Sequence, residues 1–285
     1  MISVIGASSA IGRQFLNCIS SDEINLISYF NNNEGLPKKA VFLDMTRFEK
    51  TNSLKEVKNG TVLFCSDFHY PNTNSNVFSI KTSEINSTMR LLRYLHDNYN
   101  KIIFLSSQSV FSSNTPRPEI DAMPEPKSPY GFSKLILENF IRAELENSQI
   151  IRFGKVITKD TPFIKKSIRK INNKEAPEFK DNWIIAPVSV LAAAEKLSEI
   201  VLSKENIAAK VLHICSNDSI SYFNFMSLLF KNLELDKIQI KKQNTAEEEE
   251  KFFDLSVKKS AQFIRLDDLT VEKCLSDIKL FFNQK

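Results

Sequence analysis

Residues Ser128–Lys134, with the sequence SPYGFSK, place a phenol and an amine at the start of a predicted helix. Ser128 is a good helix N-cap and Pro129 suits the first helical position, so Tyr130 is expected in the opening turn. Lys134 follows four residues later, one turn along the same face. An ammonium there can stabilise a phenolate and lower the phenol pKa, which is about 10 when unperturbed. The run therefore predicts proton exchange with a carbonyl or an alcohol.

A serine at the end of an earlier apolar run can complete this chemistry. Ser106 and Ser107 end that run, and a serine hydroxyl beside the phenol could hold a carbonyl or alcohol for proton exchange. Ser106, Ser107 and Ser109 are the candidates for this role. The competing interpretations are structural: Ser107 as a small residue at a strand end, and Tyr130 as an aromatic residue that covers a helix start.

The chain begins with a short apolar strand, a turn that contains glycine, and then a helix. The predicted strand Ile2–Ile5 is followed by Gly6 and, after the turn, by Gly12. Dinucleotide-binding folds begin in this way, because the first glycine allows a tight turn, the last allows close helix packing, and the helix N-terminus faces a pyrophosphate. Ser9 stands where nucleotide-binding versions usually carry a middle glycine. Its hydroxyl either bonds a phosphate or crowds the site, and a plain strand-turn-helix is the alternative.

Composition excludes several classes of protein. The chain has 285 residues, of which 42% are hydrophobic and 25% charged, enough for a sizeable core. A net charge of +4, without a basic run interleaved with aromatics, does not predict a nucleic-acid partner. Four cysteines without a CxxC pair and three histidines without ligand spacing predict neither disulfides nor a metal site. With no signal peptide and no apolar run near the ~20 residues of a membrane span, we expect a cytoplasmic protein without a membrane partner.

Short apolar runs alternate with helical segments along the first part of the chain. The runs are continuous rather than alternating in polarity, which is typical of strands buried on both faces of a parallel sheet. We predict an α/β fold with a doubly wound parallel (Rossmann) sheet and ligands at the carboxyl ends of its strands. The predicted strands are Ile2–Ile5, Asn25–Phe30, Ala40–Leu43, Thr61–Cys65, Ile102–Ser106, Gln149–Phe153 and Val211–Cys215. The predicted helices between them include Glu84–Asn98, Pro129–Glu146 and Val188–Ser203.

The alternation loosens after about residue 155, which predicts a second, smaller lobe. We assign 1–157 to a dinucleotide-binding domain, to which 183–216 returns, and 158–182 with 217–285 to a substrate-binding lobe. The lobe should contain a helix over Thr161–Asn173, a loop over Glu175–Asn182, a helix over Tyr222–Leu233, a strand over Lys237–Lys241 and a helix over Val271–Asn283. Its first helix carries a basic cluster that either meets a nucleotide diphosphate or forms a solvated face, which we favour. The cluster is Lys165, Lys166, Arg169 and Lys170.

Together these residues resemble the extended branch of the short-chain dehydrogenase/reductase superfamily, which acts on nucleotide sugars. The closest likeness is to the dTDP-4-dehydrorhamnose reductases and their sugar-nucleotide-binding relatives. The stretch Phe104–Phe111 looks like the family strand with a catalytic Ser or Thr three residues before Val-Phe/Tyr, which selects Ser107. Tyr130–Leu135 followed by Glu138 is similar to the family sequence YGxSKLxxE. Farther along, Ser221–Phe225 looks like the reductases' Ser-aromatic-x-x-Phe.

The resemblance also implies a cofactor site. Asp44 resembles the acidic position that contacts adenine, and Asn86 matches a helix asparagine of the family; a turn-forming aspartate and a helix-surface residue are the alternatives. The implied cofactor is NAD or NADP, with no preference, because Ser28–Asn31 offers neither an acid for a ribose diol nor an arginine for a 2′-phosphate. The implied cofactor-binding residues are Gly6, Ser8, Ser9, Ala10, Ile11, Gly12, Asp44, Met45, Cys65, Ser66, Asn86, Tyr130, Lys134 and Phe153.

The activity that the resemblance implies is NAD(P)H-dependent reduction of a keto group on a nucleotide-activated sugar, in the synthesis of sugars for cell-surface polysaccharides. Tyr130 would donate the proton, Lys134 would tune Tyr130 and hold the nicotinamide ribose, and Ser107 would fix the sugar oxygen. Two alternatives stay open: an NAD-dependent nucleotide-sugar epimerase and a non-catalytic NAD(P)-binding regulatory subunit. Gln108 stands where dehydratases usually carry an acid, which counts against dehydration. The expected partner is a nucleotide sugar, and a homodimer is left open.

Overall fold

The computed structural model describes residues 1–19, 26–30, 40–50, 54, 60–67, 81–203, 207–235, 239–243 and 249–283. The chain forms two compact units. The first comprises Met1–Phe111, Met123–Arg152 and Ala194–Leu212, and the second comprises Ser112–Ala122, Phe153–Ala193 and His213–Lys285. Relative to the predicted boundaries, the second unit also takes in 112–122, 153–157, 183–193 and 213–216.

The described residues contain fourteen strands and seven α-helices. The strands are β1 (Ile2–Ile5), β2 (Leu26–Phe30), β3 (Val41–Phe42), β4 (Thr61–Phe64), β5 (Lys101–Ser107), β6 (Ser148–Phe153), β7 (Lys155–Ile157), β8 (Glu178–Lys180), β9 (Trp183–Ile185), β10 (Pro187–Ser189), β11 (Val211–Ile214), β12 (Ile220–Ser221), β13 (Lys241–Gln243) and β14 (Lys251–Phe253). The helices are α1 (Ala10–Cys18), α2 (Thr82–Asn98), α3 (Pro129–Glu144), α4 (Pro162–Asn172), α5 (Val190–Leu202), α6 (Tyr222–Asn232) and α7 (Val271–Asn283).

A parallel sheet carries the candidate site. Within the described residues it has seven strands in the order β11-β6-β5-β4-β1-β2-β3. The pairings from β3 through β2, β1 and β4 to β5 are all parallel, and Ile2 lies opposite both Leu26 and Thr61. All four residues of β1 are buried, as a strand covered on both faces requires. The predicted α/β fold with a doubly wound sheet is confirmed, and all seven predicted strands form with ends shifted by one residue at most.

Helix α3 presents one apolar face to the sheet. It packs against β5 and against α2. Its buried positions recur at the three- and four-residue spacing of a helix, and burial of each large aliphatic side chain among them stabilises the fold by about 1.5–3 kcal/mol. The buried residues are Gly131, Ser133, Lys134, Leu137, Glu138, Phe140 and Ile141. Two ionisable side chains, Lys134 and Glu138, therefore lie on the inner face of this helix.

The second unit is built on short strands and three helices. Strand β9 pairs with β12 in antiparallel and with β14 in parallel, while β7 pairs with β10. Helices α4, α6 and α7 supply much of a separate apolar core. Its buried residues are Ile157, Ile164, Phe179, Ile185, Phe225, Met226, Leu229, Phe230, Val271, Cys274, Leu275 and Ile278. The three helices predicted for this lobe are confirmed, and α7 has the predicted bounds.

One prediction for the second unit is wrong. The segment Glu175–Asn182, predicted as a loop, contains β8, which pairs in parallel with β13 and sets Glu178 opposite Lys241. A strand of three residues gives no periodicity to detect, and its partner is remote in sequence, so only the tertiary pairing defines it. The predicted strand Lys237–Lys241 overlaps β13 at Lys241, and its first two residues lie outside the described part of the chain.

Three absences hold for the described residues. No helix there combines the length and apolar character that a membrane span needs. No three or more His, Cys, Asp or Glu side chains are grouped there to hold a metal ion. All four cysteines are free thiols, and burial raises the pKa of Cys215 to about 12.

Candidate active site

The glycine turn after β1 is held against the end of β4. Gly6 has a φ of +80°, and a Cβ built on it would lie 2.5 Å from the Ser66 amide nitrogen. A Cβ on Gly12 would lie 2.7 Å from the Gly6 carbonyl oxygen. Both positions therefore exclude a side chain. At Gly6 there is a second reason, because residues other than glycine are strained in the left-handed backbone conformation. The two glycines have the roles that the sequence predicted, a tight turn and close helix packing.

Ser9 begins helix α1 as its N-cap. Its backbone is extended, and its hydroxyl oxygen accepts a hydrogen bond from the Gly12 amide at 3.0 Å. Capping in this way satisfies one of the amides that a helix N-terminus leaves unpaired. The amides of Ala10 and Ile11 belong to the same first turn, where intrahelical acceptors are lacking, so they fit a phosphate group. Ser8 contributes its carbonyl oxygen to the Arg13 guanidinium, with Nε at 2.9 Å.

The predicted cofactor residues after β3 and β4 also lie at strand ends. Asp44 forms a turn: its Oδ1 accepts hydrogen bonds from the Thr46 hydroxyl at 2.7 Å and the Thr46 amide at 2.9 Å. These bonds lower the pKa of Asp44. Met45, beside it, is partly buried. Cys65 is buried, and its amide donates to the Ile5 carbonyl at 2.7 Å. The turn-forming interpretation of Asp44 is thus observed, while adenine contact stays a prediction.

The remaining predicted cofactor residues are more scattered. Asn86 is exposed on α2, beside the buried Ile85. Phe153 is buried at the end of β6 and belongs to the second unit. Of the segment Ser28–Asn31, which bears on cofactor choice, Asn31 lies outside the described residues. Roles for Asn86 and Phe153 in cofactor binding stay predictions.

The start of helix α3 has the predicted form. Ser128 is the N-cap, its hydroxyl accepts a hydrogen bond from the Gly131 amide at 3.1 Å, and Pro129 is the first helical residue. Gly131 is required by packing, because a Cβ there would lie 2.0 Å from the Ser109 carbonyl oxygen. The absence of that Cβ lets the helix start approach the chain that follows β5. Tyr130 is thereby brought to the end of that strand.

Ser107, Tyr130 and Lys134 converge, as the sequence predicted. The Ser107 hydroxyl is close enough to the Tyr130 phenol to lower its pKa. Lys134 is only 3% exposed, its Nζ donates to the Leu105 carbonyl at 2.9 Å, and it lies 5.7 Å from the centre of the Tyr130 ring. A hydroxyl, a phenol and an ammonium therefore meet at the carboxyl edge of the sheet. This is the arrangement needed to hold an oxygen and exchange a proton with it.

The alternative serines have other surroundings. The Ser106 hydroxyl is buried and has no hydrogen-bond partner among the described residues. Ser109 donates its amide to the Ser107 oxygen at 3.2 Å, and the two hydroxyls lie 3.2 Å apart. Ser109 also accepts a weak bond from the Gln108 amide at 3.4 Å. Of the three serines, Ser107 is the one that influences the pKa of Tyr130.

A carboxylate that sequence reasoning missed joins the group. The Tyr130 hydroxyl donates a hydrogen bond to Asp67 Oδ2 at 2.9 Å, and Asp67 Oδ1 lies 3.2 Å from Lys134 Nζ. Asp67 follows β4 at the same edge of the sheet as Gly6 and Ser107. That position was the available signal, because ligand-facing residues gather at the carboxyl ends of parallel strands.

Asp67 reverses one expectation. Burial, followed by the charge of Asp67 and its hydrogen bond, raises the pKa of Tyr130 well above its ordinary value, and only the Ser107 hydrogen bond acts against this. The sequence predicted a lowered phenol pKa from Lys134 alone. The prediction was wrong for this chain because the phenol is buried, and because a carboxylate beside the ammonium accepts a hydrogen bond from it. A raised pKa favours the neutral phenol at neutral pH.

The second unit holds a cavity of about 200 Å³ with aromatic and basic walls. Phe163 and Tyr222 pack with ring centres 4.8 Å apart, and Trp183 lies 6.3 Å from Tyr222 at an edge-on angle of 81°. The Trp183 indole nitrogen is buried without a hydrogen-bond partner among the described residues. Three lysines and one glutamate also line the cavity: Lys166, Lys170, Lys180 and Glu178.

The predicted basic cluster on α4 is divided by this cavity. Lys166 and Lys170 line it, whereas Lys165 pairs with Asp160 at 2.9 Å outside the lining, and Arg169 is exposed. The two lining lysines are four residues apart, so they share one face of the helix. One face of α4 is therefore available to a ligand, and the other is the solvated face that the sequence favoured.

A doubly wound parallel sheet, a glycine turn after its first strand and a Ser-Tyr-Lys set at the strand ends define a protein of the short-chain dehydrogenase/reductase kind. The match to a family model is more specific: the RmlD substrate binding domain matches residues 1–254. The chain belongs to this family, and the resemblance that its sequence suggested is confirmed. No curated protein sequence matches the chain.

Solved structures share the fold over almost the full length. A dTDP-4-dehydrorhamnose reductase from Bacillus anthracis in complex with NADP superposes with a TM-score of 0.80 at 16% identity, covering 100% of this chain and 98% of the other. A reductase of the same name from Clostridium acetobutylicum gives 0.76 at 18% identity, covering 99% and 98%. A UDP-glucuronic acid 4-epimerase from Bacillus cereus, in complex with UDP-glucuronic acid and NAD, gives 0.81 at 17% identity, covering 99% of each chain. At these identities the similarity shows a common fold.

Proposed function

We propose that the protein is an NAD(P)H-dependent oxidoreductase that reduces a keto group on a nucleotide-activated sugar. The observation that carries the proposal is the meeting of Ser107, Tyr130 and Lys134 at one edge of the sheet, where the pKa of Tyr130 is raised. A neutral phenol is the form that can give a proton to a sugar oxygen. We extend the proposal to a cytoplasmic location and to the supply of sugars for cell-surface polysaccharides, which follow from the family resemblance.

The residues at the strand ends fit a dinucleotide. When bound, the cofactor supplies the hydride, which is chemistry that the protein itself lacks. The turn from Gly6 to Gly12 leaves backbone close to the ligand space, and the amides of Ala10 and Ile11 can donate to the pyrophosphate. Lys134 would hold the nicotinamide ribose. Neither NAD nor NADP is favoured by the described residues.

The catalytic roles follow from the contacts. Tyr130 would give its proton to the carbonyl oxygen of the sugar as the carbon accepts the hydride, and an alcohol results. Ser107 would hold that oxygen, because its hydroxyl lies at the same strand end and is close enough to the phenol to lower its pKa. Lys134 is fixed by the Leu105 carbonyl, so its ammonium cannot swing away from the site without breaking a buried bond.

The cavity of the second unit supports a nucleotide sugar as the substrate. Its aromatic rings offer faces for a nucleobase, and the buried indole N–H of Trp183 offers a donor to it. Lys166, Lys170 and Lys180 outnumber the one lining carboxylate, Glu178, so the cavity favours an anionic group such as a diphosphate. Similar structures from the reductases and the UDP-glucuronic acid epimerase point in the same direction.

A turnover assay tests the proposal. The purified protein is given NADH or NADPH with 4-keto sugars linked to dTDP or UDP, and loss of reduced cofactor is measured together with the sugar product. We expect Tyr130→Phe to lower turnover by about 10²- to 10⁴-fold, the usual effect of losing a general acid. Tyr94→Phe is the control, because Tyr94 bonds the Leu54 carbonyl elsewhere in the unit. A folded Tyr130→Phe protein with full turnover would contradict the proposal.

Epimerisation is the second candidate, favoured by the similarity to the UDP-glucuronic acid 4-epimerase. An epimerase of this fold first oxidises its sugar, so it should retain NAD⁺ through purification and interconvert sugars without net use of cofactor. Mass analysis of the purified protein separates the candidates. Bound NAD⁺ supports epimerisation, and a site that fills only with added NADPH supports reduction. Tight binding without turnover on any keto sugar, together with a co-purifying enzyme, supports the regulatory subunit.

A further inference from the structure

We propose that Asp67 is a positioning residue that keeps Tyr130 in its protonated form and aims its hydroxyl, so that the site holds a phenol where Lys134 alone would favour a phenolate. The inference rests on the proposed function for its consequence in catalysis. Its basis is geometric. One carboxylate oxygen accepts a hydrogen bond from the Tyr130 hydroxyl at 2.9 Å, and the other lies 3.2 Å from Lys134 Nζ.

The carboxylate offsets the field of the ammonium. Lys134 is 3% exposed, so its positive charge acts on the phenol with little screening by water. A carboxylate in contact with that charge gives a pair of zero net charge, and the stabilisation of a phenolate is lost. A phenolate would also face the Asp67 oxygen across 2.9 Å, and two negative charges at that distance repel.

Among the residues that the structure describes, no charged side chain other than Asp67 and Lys134 acts on the phenol. The elements around Tyr130 present Asp67 after β4, Lys134 on its own helix and the neutral hydroxyl of Ser107 at the end of β5. Cys65, also after β4, is within the field of Lys134, but burial raises the pKa of its thiol, so it stays neutral. The direction of the Tyr130 pKa, raised by burial and then by Asp67, agrees with this charge balance.

The consequence is a wide pH range for proton donation. Reduction needs Tyr130 as a phenol at the start of each cycle, because the proton leaves its oxygen for the sugar oxygen while the hydride enters the carbonyl carbon. With Asp67 present, the phenol persists beyond pH ~10, where a free tyrosine ionises. Without the carboxylate charge, the uncompensated ammonium of Lys134 would ionise the phenol at lower pH, and reduction would fail there.

The direct test is the titration of Tyr130 in the cofactor-free protein. Ring carbons of isotope-labelled tyrosine are followed by NMR from neutral to alkaline pH, and Tyr130→Phe identifies the signal. In Asp67→Asn, which keeps the shape and removes the charge, we expect the midpoint to fall by about one to three pH units relative to the unchanged chain. Asp67→Glu, which restores a carboxylate, should keep the midpoint high.

A matched control has the same ion-pair geometry elsewhere. Glu144 on α3 lies 3.2 Å from Arg93 and is 50% exposed, against 3.2 Å and 47% for Asp67 with Lys134. Glu144→Gln should leave the Tyr130 titration unchanged. Equal midpoints in the unchanged chain and a folded Asp67→Asn variant would overturn the inference. If Asp67→Asn does not fold, Asp67→Ser replaces it. A lowered midpoint then supports the inference, and an unchanged midpoint overturns it.

The titration uses neither cofactor nor substrate, so its result is independent of the proposed function. A lowered midpoint in Asp67→Asn without turnover on any keto sugar would support the role of Asp67 and count against the reductase. Turnover with an unmoved midpoint would do the reverse. Where both hold, the basic limb of the pH dependence of kcat/KM should move to lower pH in Asp67→Asn by the same interval as the NMR midpoint.

Discussion

Helix α3 carries two inward-facing ion pairs one turn apart, and they serve different ends. Lys134 pairs with Asp67 at 3.2 Å, and Glu138 pairs with Arg152 at 2.6 Å. In the second pair both side chains are fully buried, whereas Asp67 keeps 47% of its surface exposed. Water access therefore distinguishes them. The Glu138–Arg152 pair is closed to water, whereas the Asp67 carboxylate of the other pair stays open to it.

The Glu138–Arg152 pair has the contacts that make a buried pair tolerable. Arg152 Nε lies 2.9 Å from one carboxylate oxygen and Nη2 lies 2.6 Å from the other, a bidentate arrangement. The guanidinium also lies 4.8 Å from the centre of the Phe111 ring. Such contacts offset the large desolvation cost of both charges. Removing one partner alone lowers the free energy of unfolding strongly, because the other charge stays buried.

Breaking the buried pair should give the largest effect on stability. Glu138→Gln leaves the Arg152 charge buried without its counter-ion, so we expect the free energy of unfolding to fall by about 3–5 kcal/mol. Urea unfolding at neutral pH measures it. A double variant, Glu138→Leu with Arg152→Met, should recover most of the loss, because two apolar side chains remove the buried charges together. A loss below about 1 kcal/mol in Glu138→Gln would show that burial does not give this pair a larger contribution to stability than the pair in the site.

Breaking the pair in the site should affect catalysis and should cost less stability than breaking the buried pair. Lys134→Met keeps the apolar stem in place and leaves Asp67 to be hydrated. We expect the free energy of unfolding to fall by about 1–3 kcal/mol, because the buried Leu105 carbonyl loses its hydrogen-bond donor. Turnover on a keto sugar nucleotide should fall by about 10²-fold or more, as for the loss of a group that supports general-acid catalysis. Normal turnover in this variant would place the chemistry elsewhere.

The stability of the protein at alkaline pH should depend on Tyr130. The folded-state pKa of Tyr130 is raised above its unfolded value of about 10, so its contribution to stability is full below pH ~10 and is lost as the pH rises from there through the folded-state pKa. The slope is at most about 1.4 kcal/mol per pH unit for this one proton. Tyr130→Phe should lack that slope, which urea unfolding at a series of alkaline pH values measures. Parallel slopes in the two proteins would contradict the raised pKa.

The smallest effect is expected at a third pair on α3. Arg93 and Glu144 lie 3.2 Å apart with both side chains about half exposed. Glu144→Gln should change the free energy of unfolding by about 1 kcal/mol or less, since exposed pairs are screened by water and ions. Thermal unfolding at low and high salt measures it. A loss as large as that of Glu138→Gln would mean that contact distance, and not burial, sets the strength of these pairs.

Local sequence was sufficient for the elements that hold the site. The N-cap Ser128 with Pro129 fixed the start of α3, and four-residue spacing put Lys134 on the same face as Tyr130. Continuous apolar runs predicted the parallel strands, because burial on both faces removes the polar alternation of a half-exposed strand. The position of the site at the sheet edge was also predicted, because ligands bind at the carboxyl ends of parallel strands. Short strands such as β8 were not predicted, because three residues are too few to show a periodic pattern of polarity.

What the sequence determined by itself is the fold class, the glycine turn and the spacing of Tyr130 and Lys134 on one helix, since each depends on residue patterns within single strands or helices. The tertiary structure alone decided that Asp67 contacts Tyr130, 63 residues away in sequence, and that Glu138 meets Arg152 in the interior. It also decided the protonation of Tyr130. The reason is physical: a pKa depends on burial and on the charges that other strands bring within a few ångströms, and neither is written in the spacing of one motif.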